Sequence, residues 1–183
     1  VIAPIRDEAR RHYAALMEQV QQRFSRGLQA AGWPATGYLP NTQVFDALVA
    51  PRLQENGYRV AYFMVDALRY ELGVALEKQL ADDGVVALQP AMAQLPSITP
   101  VGMASLVPGA AEQLRLQRTD KGITPYIGDM PVATVAKRME VFRQLYGQRF
   151  DEVRLEEFVR AKNPSVAEHV DLLVVRSVEI DSY

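Results

Sequence analysis

The chain has 183 residues, enough for a single domain with a substantial core, and its 49% hydrophobic and 23% charged residues exclude the disordered and fibrous classes. No apolar run reaches the length needed to cross a bilayer, so a soluble protein without a membrane partner is expected. A formal net charge of -2 gives no basic footprint for nucleic acid, and the absence of cysteine excludes disulfides, thiolate nucleophiles and zinc-thiolate sites, which suits a cytoplasmic protein.

The first segment, "IRDEARRHYAALMEQVQQRFSRGLQAAG", places Tyr13, Leu16, Met17, Val20, Phe24 and Leu28 on one helical stripe that ends near Gly32. A Pro- and Gly-rich loop, "WPATGYLPN", leads into a second short helix over 42–56, which Pro51 should interrupt or kink. From Arg59 the run "VAYFMV" is continuous rather than alternating, as in a parallel strand buried on both faces. A helix follows at once, with Leu68, Leu72, Ala75, Leu76 and Leu80 as its stripe, then "DDG" and a second strand candidate, "VVALQPAM". Together they make a βαβ pattern.

Farther on, "LPSITPVGMASLVPG" reads as a loop entering a short helix, and "LRLQR" as a short edge strand with alternating leucines. A helix over 132–146 carries Val135, Met139, Phe142 and Leu145 on one face, and "RLEEFVRAKN" is helical up to Pro164. The last element, "VDLLVVRSVEI", is a strand buried on both faces. The expected fold is α/β, a mostly parallel central sheet flanked by helices.

In such sheets ligands gather beyond the carboxyl ends of the strands. Asp66 and Asp181 each follow a buried-strand pattern, so both carboxylates are expected at one crevice, where they would bind a divalent cation. The plain alternatives are a helix N-cap for Asp66, stabilising by about 1 kcal/mol, and a turn residue for Asp181. Thr99 precedes Pro100 at a helix start and is both a natural N-cap and a candidate nucleophile beside exposed N–H groups. Ser97 is a second hydroxyl without that helix-start signal. His12 and His169 lack metal-type spacing, Arg69 and Glu71 are placed to neighbour the crevice or, in the plain reading, to be solvated or ion-paired at a helix start, and no phosphate-loop pattern is present.

Three segments taken together, "VDALRYELG", "LPSITPVGMASLVPG" and "VVRSVEID", resemble the PglZ domain, a member of the alkaline phosphatase superfamily found in BREX and Pgl phage-defence systems. The resemblance covers the chain from about Tyr58 onward and divides it into an N-terminal helical lead-in, 1–57, and a partial PglZ-like α/β domain, 58–183. It implies metal-dependent phosphoester hydrolysis or phosphoryl transfer, with Asp66, Thr99 and Asp181 as metal ligands, Thr99 as nucleophile, and zinc or manganese as the ion. It also implies other phage-defence proteins as partners, and a phosphoester substrate, with nucleic acid allowed but not demanded by the charge. The superfamily's "DHG" ligand pair is missing, and the chain starts at Val1 and ends at "VEIDSY". The expectation is therefore an incomplete alkaline phosphatase-like fold, a fragment catalytically poor by itself, with a non-catalytic interaction module as the rival reading.

Overall fold

A computed structural model describes residues 2–120 and 122–182 and divides the chain into two compact units, 1–38 and 39–183. In the first unit, α1 (Ile2–Ala31) runs 30 residues. It stops at Gly32, whose φ of 76° is the left-handed conformation that closes a helix, with its N–H on Leu28 O at 2.9 Å. Phe24 meets Trp33 edge to face at 5.9 Å. The apolar stripe expected on this helix exists, yet none of its residues is buried. Among the described residues no helix is long and apolar enough to cross a membrane.

The second unit is mixed α/β with parallel and antiparallel sheets. It opens with β1 (Leu39–Pro40) and α2 (Asn41–Val44), passes through a π-helical turn, Phe45–Val49, and continues as α3 (Ala50–Gln54). Pro51 does interrupt this helix, and the π turn is how: the Ala50 N–H reaches back five residues to Phe45 O. That wider turn accommodates the proline ring, which would otherwise press on the carbonyl four residues earlier.

Next come β2 (Val60–Val65), α4 (Tyr70–Leu80), β3 (Ala91–Met92), α5 (Thr99–Ala104) and α6 (Ala110–Gln113). They are followed by β4 (Leu114–Thr119), β5 (Gly122–Ile127), β6 (Met130–Pro131), α7 (Val135–Tyr146), β7 (Phe150–Arg154), α8 (Leu155–Arg160) and β8 (Leu172–Ser177). The strands form three sheets: parallel β1-β3, parallel β2-β8-β7, and antiparallel β4-β5-β6.

Strand β8 is central in its sheet and buried at five of six positions, as its unbroken apolar run requires. Strand β2 corrects the expectation of burial on both faces. It is an edge strand, and Val60, Tyr62 and Met64 turn inward while Ala61 and Phe63 are exposed, Phe63 by 53%. The strand expected over 85–92 shrinks to Ala91–Met92 and pairs with β1, not β2, so β2, α4 and β3 do not close a βαβ unit in one sheet. Strands β5, β6 and β7 escaped the sequence reading. β5 carries Pro125, and β7 is a short edge strand, with Phe150 buried but Asp151 exposed.

The core gathers around Phe45, which the π turn delivers from outside the sheets. Its ring lies 5.4 Å from Phe142 and 5.5 Å from Tyr62, both edge to face, and Phe142 stacks on Phe150 at 5.6 Å. Met64, Met139, Val107, Leu172 and Val174 pack into the same cluster. On α7 the buried residues are Arg138, Met139, Val141 and Phe142, whereas Val135 and Leu145 of the expected stripe are exposed. Burying a ring of this size contributes about 1.5–3 kcal/mol. The Asp46 carboxylate, at the start of the same π turn, accepts the Gly109 N–H with both oxygens at 3.1 Å and ties the turn to the head of α6.

β2 ends in a sharp change of direction. Asp66 is followed by Ala67, whose φ of 59° is left-handed although the residue carries a Cβ. That conformation costs an L-residue about 1–2 kcal/mol. The Ala67 N–H donates back to Asp66 Oδ1 at 2.9 Å, which fixes the carboxylate over the turn.

Two measurements follow from this packing. Phe142→Ala should lower unfolding stability by about 3–5 kcal/mol and Phe63→Ala by less than about 1 kcal/mol, read from urea denaturation. Equal losses at the two positions would contradict the exposure of the Phe63 face of β2. Ala67→Gly should raise stability by about 0.5–1 kcal/mol by releasing the left-handed strain, and a loss on that substitution would contradict the turn.

Candidate functional site

The site begins with a register. β2 and β8 run parallel with Val65 opposite Ser177, and the Asp66 N–H continues the ladder by donating to Ser177 O at 3.0 Å. Because the strands point the same way, whatever follows each emerges at the same edge. Asp66 follows one. The other is followed by a turn over 178–182, closed by the Ser182 N–H on Val178 O at 3.0 Å and by its hydroxyl on the same carbonyl at 2.9 Å. Asp181 sits in that turn.

Thr99 arrives from a third direction. Val101 and Ala104 on α5 are fully buried, and the Tyr62 hydroxyl, from β2, donates to Leu106 O at 3.1 Å just beyond the helix. Burial, helped by the Asp46 carboxylate, pushes the Tyr62 pKa up, so this hydroxyl keeps its proton and remains a donor. α5 is thereby held against the strand that ends in Asp66.

Asp66, Thr99 and Asp181 consequently line one cavity of about 470 Å³. Ser97, Arg69 and Asn41 line it too. Asp66 is half-buried, while Thr99, Ser97 and Asp181 are exposed. Arg69 also pairs with Glu71 at 3.0 Å, an exposed ion pair. His12 lies on α1 within 3.8 Å of Glu8, and His169 is an exposed loop residue; neither lines this cavity.

Two details differ from expectation. Asp66 is not the cap of α4, which starts at Tyr70 with Arg69 in the cap position and no side-chain cap bond. Nor is Thr99 the cap of α5: Ile98 is, and Thr99 and Pro100 open the first turn. The N–H groups of Val101 and Gly102 both donate to Ile98 O, at 3.0 and 2.9 Å, and Pro100 has none to offer. The head of α5 therefore presents few free donors to an anion, and Arg69 is the cationic side chain on the cavity wall.

Two residues passed unnoticed in the sequence. Asn41, which begins α2, had no motif to mark it. Arg138 looked like a polar residue of α7 but is only 5% exposed, with Nη1 donating to Val132 O at 3.3 Å and Ala133 O at 2.8 Å. Burial lowers its pKa, the Asp66 carboxylate acts in the opposite direction, and Arg176 adds to the lowering. A buried cation thus stands within electrostatic reach of Asp66. Arg176 is itself answered by Glu152, 2.9 Å away, although its Nε–H is not aligned for a hydrogen bond.

On the turn after β8, the Ser177 hydroxyl donates to Glu179, and that bond, with backbone groups of the turn, holds the Glu179 carboxyl below its ordinary range. Glu179 is therefore engaged with its own strand, while Asp181 faces the cavity. The donors available to a cation there are oxygens: the carboxylates of Asp66 and Asp181, the hydroxyls of Thr99 and Ser97, and the amide oxygen of Asn41. Among the described residues no group of three histidine or acidic side chains could hold a metal ion, so the set fits a divalent cation in kind but is partial in number.

The family model described as the BREX system PglZ alkaline phosphatase-like domain matches residues 44–183, more than half of the chain. No curated protein and no solved structure matches it. With that match spanning β2, α5, β8 and the cavity between their ends, the chain belongs to the PglZ family of alkaline phosphatase-like domains of BREX phage-defence systems.

Proposed function

We propose that this PglZ domain serves a phosphoester hydrolase or phosphoryl-transfer protein, with Thr99 as the nucleophile. The observation that supports this is the convergence of Asp66, Thr99 and Asp181 on one cavity from three separate parts of the chain. In the reaction the Thr99 oxygen forms a bond to phosphorus as the bond to the leaving oxygen breaks in line. The hydroxyl proton passes to solvent, and water later releases phosphate and restores the hydroxyl. Arg69 offsets charge on the phosphoryl oxygens from the cavity wall. Ser97 and Asn41 bind and orient the ester through hydrogen bonds.

Asp66 and Asp181, with the Thr99 hydroxyl, are the groups that would hold a divalent cation. When bound, such an ion neutralises phosphoryl charge and favours the alkoxide. An oxygen-only set suits manganese better than zinc. The partial donor set favours a second reading, in which the domain keeps the fold and takes part in assembling a phage-defence complex without catalysis.

Hydrolysis of chromogenic phosphomonoesters and phosphodiesters by the protein that carries this domain, with manganese or zinc supplied, separates the two readings. Thr99→Ala should cost at least about a thousandfold in kcat, with Thr99→Ser retaining part of the activity. Calorimetric titration with manganese should show binding that Asp66→Ala weakens. Equal turnover after Thr99→Ala removes the nucleophile, and absence of both turnover and metal binding leaves the assembly reading.

A further inference from the structure

The apolar positions of α1 recur at spacings of three, four and four. Ile2, Ile5 and Ala9 are followed eleven residues later by Tyr13, Leu16 and Val20, and eleven later again by Phe24, Gly27 and Ala31. An eleven-residue period corresponds to about 3.67 residues per turn, so the stripe stays on one face along the whole helix instead of drifting around it. Met17 and Leu28 widen it on one flank. No residue of the helix is buried, Leu16 at the midpoint is 57% exposed, and a Cβ added at Gly27 would meet nothing within 4 Å. A stripe this long is the face of a helix that packs on another helix.

Read backwards about Leu16, the stripe is complementary to itself in size. Ile2 falls opposite Ala31, Ile5 opposite Gly27, Ala9 opposite Phe24, Tyr13 opposite Val20, and Leu16 opposite Leu16. Three layers then join a large residue to Ala or Gly, Tyr13 meets the smaller Val20, and two leucines meet at the centre. A parallel pair would set Phe24 on Phe24 and Gly27 on Gly27, crowding one layer and leaving a void in the next, and both faults are costly. Charge agrees with size. In an antiparallel pair like flanks face each other, so Glu8 on one flank runs beside Arg23 on the same flank of the second copy.

We infer that α1 pairs antiparallel with α1 of a second copy of this chain, the two-fold axis passing beside Leu16. The interface is isologous and closes as a dimer, and all of its paired positions belong to the first unit. This inference is independent of the phosphoester reading.

Light scattering on the full chain should give twice the mass of one chain, and Leu16→Glu, which sets two carboxylates against each other at the axis, should halve it. The chain has no cysteine, so single cysteines report orientation directly. Leu16→Cys should oxidise to a cross-linked dimer by itself. Ile5→Cys and Gly27→Cys should each cross-link poorly alone but efficiently when mixed in equal amounts before oxidation. A monomeric wild-type chain, which would leave the stripe to some other partner, overturns the proposal. So does a dimer whose mass ignores Leu16→Glu, or efficient self-linking of Ile5→Cys and Gly27→Cys, the mark of a parallel pair.

Discussion

The parallel ladder between β2 and β8 is the constraint from which the site derives. Two antiparallel strands would send the segments that follow them to opposite ends of the sheet. Here Val65 lies opposite Ser177, and the Asp66 N–H adds one more rung on Ser177 O at 3.0 Å. The strand that makes this possible is β8, whose Leu172, Leu173, Val174 and Val175 are buried and whose two edges are taken by β2 and β7. A central strand has no freedom to slip, because a shift of one residue would exchange its core face for the other face along its full length. The acidic turn beyond it is thereby placed with the accuracy of the sheet.

The hydroxyl side of the cavity depends on a different kind of contact. α5 has only six residues, too few to be stable without packing, and it is held by the burial of Val101 and Ala104 and by the bond from Tyr62 to Leu106 O. Tyr62 in turn belongs to the aromatic group centred on Phe45. The π turn that presents Phe45 exists beside Pro51, so a local backbone accommodation far from the cavity contributes to where Thr99 stands. Arg138 belongs to the same core, a buried positive charge held by two backbone carbonyls and supported electrostatically by the Asp66 carboxylate.

Much of this was legible in the residues. The unbroken apolar run of β8 and the helix end at Gly32 are local signals that took the expected form, and α7 is a helix, although Val135 and Leu145 of its expected stripe are exposed. Other elements were illegible for definite reasons. β2 has the composition of a doubly buried strand, but burial is decided by neighbours, and only the face that carries Val60, Tyr62 and Met64 is covered. The segment 85–92 is apolar enough for a strand, yet only Ala91 and Met92 find a partner, and that partner is β1. β5 was hidden by Pro125, and β7 by its charged residues. Arg138 could not be distinguished by type from the exposed arginines around it.

For the site, the sequence by itself determined the chemistry on offer: an aspartate after an apolar run, a threonine before a proline at a helix start, a second aspartate after another apolar run, and no cysteine or "DHG" pair. Tertiary structure alone decided that these groups share a cavity, that the head of α5 spends its N–H groups on Ile98 instead of leaving them free, and that an arginine stands buried near Asp66. The reason is the range of the interactions. Caps, periodicity and turn preferences act over a few residues and are written in order along the chain, whereas strand pairing and burial join residues more than a hundred positions apart and follow only from the way the whole chain packs.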